Sequence, residues 1–223
     1  MEDRYSRTRQ LIGEAGLSKL RDSKILIIGV GGVGSYAAEA VARAGAGSIT
    51  LMDGDTVQPS NLNRQLVALT STIGQNKAEV MAQRIRDIDP ETEVHVLARF
   101  YREDDELDLT AFDWIIDAID DVIAKTALIK TACEKGVSIV SAMGAAGKFG
   151  TDFKVADISK TSVCPLAKVM RKRLREAGIE HLPVVYSEEK PVPRDGVLGT
   201  LSYVPGSAGL TLAGYVIRQI AVD

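Results

Sequence analysis

Four glycines, Gly29, Gly31, Gly32 and Gly34, stand within six residues of one another. They separate a short apolar run from a segment with helical spacing. A backbone without side chains turns tightly there, and its amides approach an anion closely. A helix starting at the same point adds the positive end of its dipole. Asp53 follows nineteen residues after Gly34, at the end of the next apolar run, placed to accept hydrogen bonds from ribose hydroxyls. Loop and carboxylate together point to a nucleotide, against the plainer alternative of tight strand–helix packing. They leave open whether that nucleotide is a nicotinamide cofactor or ATP.

Two cations bear on the choice. Arg64 lies in Asn61-Leu62-Asn63-Arg64-Gln65, and Lys77 opens a helix after Gly74-Gln75. An arginine and a lysine converging on one ligand suit a triphosphate, and hydride transfer has no need of them. Both side chains are expected to be exposed in a cleft. Asp117-Ala118-Ile119-Asp120-Asp121 then closes another apolar run. Carboxylates at that edge suit Mg2+, which binds through one or two carboxylates together with substrate phosphates. For Asp121 the favoured reading is a cap on the following helix.

These residues need a scaffold that gathers them. Apolar runs at 24–29, 49–52, 93–97, 114–116 and 138–140 read as strands. Helical spacing at 33–44, 76–88 and 124–135 falls between them. Such alternation predicts a doubly wound, Rossmann-like α/β sheet, mainly parallel, in a single domain. Beyond 140 the rhythm changes. Strands at 153–156 and 182–186, with a basic helix at 165–177 between them, are expected to extend the sheet in antiparallel fashion. Segment 188–199 carries two prolines and two glycines and reads as a mobile loop, and a last helix spans 207–220.

The motifs Gly29-x-Gly31-Gly32-x-Gly34, Asp53-x-Asp55, Asn61-x-Asn63-Arg64-Gln65, Gly74-x-x-Lys77 and Asp117-x-x-Asp120 occur in order. Together they resemble the adenylation domain of the ubiquitin-activating-enzyme-like superfamily over residues 5–146. The resemblance implies that Asp53 binds ribose, and that Asn61, Arg64 and Lys77 meet the ATP phosphates. It implies that Asp120 is the catalytic aspartate associated with Mg2+. The Arg9-Gln10 pair is similar to a motif whose arginine reaches the partner subunit's ATP, which implies a homodimer. Residues 1–146 would then form a nucleotide-binding half of one 1–223 adenylation domain. Residues 147–223 would form a substrate-side half.

Within that superfamily, sulfur-carrier activators usually hold a structural zinc on two CxxC pairs. A tetrahedral thiolate site needs four cysteines, and only Cys133 and Cys164 occur here. No zinc is therefore expected. Asp157-Ile158-Ser159-Lys160-Thr161, Pro165-Leu166 and Val185-Tyr186-Ser187-Glu188 instead resemble the tRNA threonylcarbamoyladenosine dehydratases. That branch implies ATP-dependent cyclisation of a modified tRNA adenosine through carboxylate adenylation. Adenylation of a sulfur-carrier or ubiquitin-like protein's C-terminal glycine, and a non-catalytic nucleotide- and tRNA-binding role, are the alternatives. A sulfur-transfer partner stays open. Many members carry a further C-terminal cysteine that this sequence lacks.

Lys+Arg number 27 against 30 Asp+Glu, so no global positive field advertises RNA and any such surface must be local. Lys168, Arg171, Lys172, Arg173 and Arg175, joined by Lys160, supply one. They suit contacts to tRNA phosphates, or else form a solvated helix face. Cys164 just before that helix reads as a small buried residue. The charged start Met1-Glu2-Asp3-Arg4 does not resemble a signal peptide. The most apolar stretch, 210–222, is short and interrupted by Arg218. No membrane association and a reducing cytoplasm are expected.

Overall fold

A computed structural model describes residues 3–222. The expectation resting on Met1 and Glu2 lies outside the described residues, as does Asp223. Seven strands form one sheet in the order β3-β2-β1-β4-β5-β7-β6. They are β1 (Lys24–Ile28), β2 (Ser48–Met52), β3 (Glu93–Leu97), β4 (Trp114–Asp117), β5 (Ser138–Ala142), β6 (Lys154–Asp157) and β7 (Pro183–Tyr186). The helices are α1 (Ser6–Asp22), α2 (Gly34–Ala44), α3 (Lys77–Ile88), α4 (Val122–Glu134), α5 (Pro165–Glu176) and α6 (Tyr203–Ala221).

Strand alternation distributes the core. Ile25, Ile27, Ile49 and Leu51 point to one face, where the small and aliphatic residues of α2, α3 and α6 cover them. Leu26, Ile28, Met52 and Ile115 point to the other, against α4 and α5. Strands buried on both faces need continuous apolar runs, and that is how β1 and β2 read. The sheet extension departs from expectation in one respect. β7 pairs with β5 in parallel, so β6 is the one antiparallel strand.

Two helices differ from the sequence reading. α6 begins at Tyr203, because Pro205 sits in its first turn, where a missing amide costs nothing. α1 was not anticipated, since its apolar stripe is weak and Gly13 breaks it at φ +73°. Buried Leu17 and Leu20 and a set of long-range polar contacts hold α1. Asp89, closing α3, receives hydrogen bonds from Tyr5, Arg4 and Arg21. Burial, reinforced by the bond to Asp89, pushes the Tyr5 hydroxyl well above its ordinary range. Segment 188–199 is tied to Gly147 at two points. The Val192 amide donates to the Gly147 carbonyl, and the Gly147 amide to that of Gly199, each at 2.7 Å.

Candidate active site

The sheet order reverses between β1's two neighbours, and open α/β sheets leave a crevice at such a point. Here the carboxyl ends of β1, β2, β4 and β5 open into a cleft of about 990 Å³. The glycine loop lines it with divided labour. Gly29 takes φ +86°, and a Cβ there would lie 2.6 Å from the Ala118 carbonyl oxygen. At Gly34 a Cβ would lie 1.7 Å from the Gly29 carbonyl oxygen. Gly34 therefore serves the strand–helix contact and does not line the cleft. Gly31 and Gly32 do line it, and a Cβ on Gly31 would meet only Gln65 Nε2, at 3.7 Å. The space above Gly31 is left for a ligand.

Asp53 directly follows β2 and is almost fully buried. The Val30 amide donates to its Oδ2 at 2.7 Å and the Asp55 amide to its Oδ1 at 2.8 Å. Burial raises the Asp53 carboxyl above the usual range, while those amides and Lys77 pull the other way. Each oxygen keeps acceptor capacity for a ribose hydroxyl. Lys77 corrects an expectation. It is 6% exposed and donates to Asp55 Oδ2 at 2.7 Å, although Lys77 still lines the cleft. The reason is local. Asn76 caps α3 and donates to the Asp53 carbonyl, drawing the Asp53–Asp55 turn over the lysine stem.

Arg64 is half-buried, its guanidinium donating to the Ser60 carbonyl and to Asn63 Oδ1, both at 2.8 Å. Asn61 is not in the lining. Its Oδ1 accepts from the Gln58 amide at 3.0 Å and holds the 3-10 turn Pro59–Asn61 from which Asn63 and Arg64 project. Asn63 lines the cleft and donates to the Thr200 carbonyl. Gln65 is buried in the same wall, and its Oε1 has no partner among the described residues.

The acidic turn also divides. Asp121 caps α4 by accepting from the Ala124 amide at 2.7 Å. Asp120 lines the cleft with no partner among the described residues. Asp117, one of the carboxylates considered for Mg2+, is unavailable for it. Fully buried, it pairs with Lys125 at 2.8 Å and accepts from Ser141 Oγ at 2.6 Å. Lys125 and Ser141 escaped the sequence reading, although Lys125 sits in register with Leu128, Ile129 and Ala132 on the buried face of α4.

These residues fit a nucleoside triphosphate. An open backbone cradle at Gly31 and an unpaired buried amide oxygen on Gln65 await a polar ligand, with two cations at hand. Among the described residues Asp120 is the unpaired cleft carboxylate that would meet a Mg2+ ion, whose shell phosphates and water can complete. The model of the ThiF family matches residues 5–222.

The chain belongs to the ThiF family.

Among ThiF-family relatives, the chain is 40% identical to a Bacillus subtilis tRNA threonylcarbamoyladenosine dehydratase, covering 100% of this chain and 96% of that one. It is 43% identical to an Escherichia coli protein of the same name over 77% of this chain and 65% of the relative. Two solved structures of the E. coli protein, in complex with AMP and with ATP, superimpose with TM-scores of 0.91 and 0.90. Each is 37% identical and covers 97% of this chain and 93% of the other.

Other expected site residues of this ThiF-family chain lie outside the cleft. Arg9 pairs with Asp3 at 3.0 Å and Glu14 at 2.5 Å. The hydrogen bonds from Arg9 and the Tyr5 amide hold the Asp3 carboxyl at about 2. On α5, Lys168, Lys172, Arg173 and Arg175 are exposed, as is Lys160 before it. Arg171 stands apart. It donates to the Thr161 carbonyl and hydroxyl, bracing the turn that precedes the helix. Beyond β5 the cleft is lined by residues 142–146, Lys148, buried Cys164 and Leu166. Lys148 had escaped the sequence reading altogether.

Proposed function

We propose that this chain uses ATP to adenylate the carboxylate of a threonylcarbamoyl group on a tRNA adenosine, and then closes that group into a ring. The observation that carries the reading is the continuity of the cleft. Phosphate-facing groups after β1 and β4 share one cavity with the wall beyond β5, so a nucleotide and an acyl group can lie end to end. The names of the relatives and the AMP and ATP complexes of the E. coli protein accord with it.

In this reading a carboxylate oxygen bonds to the α-phosphorus of ATP as the bond to pyrophosphate breaks. A nitrogen of the same side chain then attacks the activated carbonyl and loses its proton, and AMP leaves. Gly31 and Gly32 let the backbone approach the phosphates, and Asp53 fixes the ribose. Arg64 and Lys77 face the charge that moves onto pyrophosphate. Lys77 exchanges Asp55 for phosphate at small cost, because Asp55 is half exposed to water. Asp120 would hold Mg2+, which neutralises phosphate charge. An intramolecular nucleophile makes an enzyme thiol unnecessary.

Arg9 would enter only from a second copy, since in its own chain it points to Asp3 and Glu14. A homodimer therefore belongs to this proposal, as do exposed cations of α5 against tRNA phosphates and a cytoplasmic setting. The test is AMP formation with three added substrates: tRNA carrying N6-threonylcarbamoyladenosine, the same tRNA unmodified, and a sulfur-carrier protein. Turnover with the modified tRNA alone supports the reading. Turnover only with the carrier protein overturns it.

A further inference from the structure

Among the described residues three lysines are almost fully buried, and all three border the cleft or the turn beneath it. Lys77 is paired with Asp55, and Lys125 with Asp117. Lys148, at 3% exposure, has no carboxylate within ion-pair distance among the described residues. Its Nζ donates to the Ser187 carbonyl at 3.0 Å and lies 5.9 Å from the Phe153 ring centroid. The nearby carboxylate of Glu189 is already engaged, accepting the Phe149 and Gly150 amides at 2.8 and 2.7 Å. Two ammonium protons are thus left without an acceptor among the described residues, on a side chain that lines the cleft. A buried cation in that condition is costly, and an anion arriving from the cleft completes it.

The chain enforces this burial. Gly147 is clamped between Val192 and Gly199 by the two 2.7 Å hydrogen bonds that tether segment 188–199. A Cβ on Gly147 would lie 2.7 Å from Leu198 Cδ2, so this roof sits directly on the backbone beside Lys148. Burial correspondingly holds the Lys148 ammonium below its usual range, a cost that a bound anion relieves.

Location identifies the anion. Lys148 follows β5, two strands along the sheet from the glycine loop that follows β1. The phosphates already have Gly31, Gly32, Arg64 and Lys77 at that other end. The remaining anion of the proposed reaction is the acyl substrate itself. We propose that Lys148 binds the substrate carboxylate and orients it toward the α-phosphate. It acts as a binding residue and exchanges no proton. This inference rests on the function proposed above and names the group that recognises its substrate.

The test compares binding of tRNA carrying N6-threonylcarbamoyladenosine with binding of the same tRNA unmodified, for the intact protein, Lys148→Met and Lys148→Arg. Methionine keeps most of the stem's packing and removes the charge. ATP affinity by calorimetry should therefore stay put, and the melting temperature should hold or rise. The preference for modified tRNA should fall by about 10- to 100-fold in Lys148→Met, the range for one charge-assisted hydrogen bond. Lys148→Arg should recover part of it. A Lys148→Met variant that keeps the wild-type preference overturns the proposal. So does one that unfolds or loses ATP affinity, since Lys148 would then be a structural residue. If the intact protein makes no AMP from the modified tRNA, the proposed function itself fails, and the wild-type arm alone decides that.

Discussion

The two ends of the cleft are built on different electrostatic terms. After β1, β2 and β4 the buried charges are neutralised within the chain: Asp53 by two amides, Lys77 by Asp55, and Asp117 by Lys125 and Ser141. Beyond β5, Lys148 is buried against one carbonyl and an aromatic ring. The first end has its buried charges paired before a ligand arrives and presents fixed dipoles, with Gln65 Oε1 the buried side-chain atom left unpaired among the described residues. The second is completed by its ligand. Preorganisation and recognition are thus separated along a single cavity.

Buried lysines offer the harshest way to break this comparison. Lys125→Met leaves Asp117 as an uncompensated buried carboxylate and should cost about 3–5 kcal/mol of stability. Lys148→Met leaves no carboxylate behind and should cost little. Chemical denaturation of the two variants side by side measures the contrast. Equal losses would mean that the two ends of the cleft do not differ as described.

A smaller effect, confined to chemistry, is expected at the phosphate end. Arg64→Ala and Lys77→Ala should each cost about 1.5–3 kcal/mol of transition-state stabilisation, read as kcat/KM for AMP formation. Stability should change little, because Asp55, left by Lys77→Ala, is 55% exposed and readily solvated. Asp120→Asn should behave like these two. Asp121→Asn should lose almost nothing, since asparagine caps helices about as well as aspartate. Comparable losses at positions 120 and 121 in a parallel assay would remove the distinction between ligand-facing and capping carboxylates.

What the sequence revealed divides along the same line. The glycine-loop end is made of short motifs, each on one strand–turn–helix step, so the sequence alone could group Gly31, Gly32, Asp53, Arg64 and Lys77, which line one cleft. Even there, roles within a motif depended on packing. Gly34 and Asn61 have the right type and spacing, yet one fits α2 to β1 and the other holds a turn. The far end joins residues from the 147–150 loop, Ser187, Phe153 and segment 188–199, which lie far apart in sequence and leave no periodic signal. The direction of β7 was equally hidden, because a four-residue strand reads the same whether it pairs parallel or antiparallel.

The basic helix provides the mildest test, and it sharpens the comparison by moving outside the cleft. α5 turns Ala167, Met170 and Leu174 inward and carries Lys168, Lys172 and Arg173 outward. Arg171 must be left intact. Its bonds to Thr161 brace a turn, so removing it would mix a folding defect with a binding one. Lys172 has only a loose 3.8 Å approach to Glu176, and both are well exposed, which leaves it able to meet a phosphate. Neutralising Lys168, Lys172 and Arg173 together should make the salt dependence of tRNA binding shallower, by about 0.7–0.9 in slope for each phosphate no longer neutralised. ATP affinity should hardly move, because screening confines exposed charges to a range of about 8–10 Å at ordinary ionic strength. The preference for modified over unmodified tRNA should also survive, since phosphate contacts carry no information about the base. Should that preference vanish in the triple variant while the salt slope stays unchanged, recognition of the modified base would lie on α5, and the division between the two ends of the cleft would be misplaced.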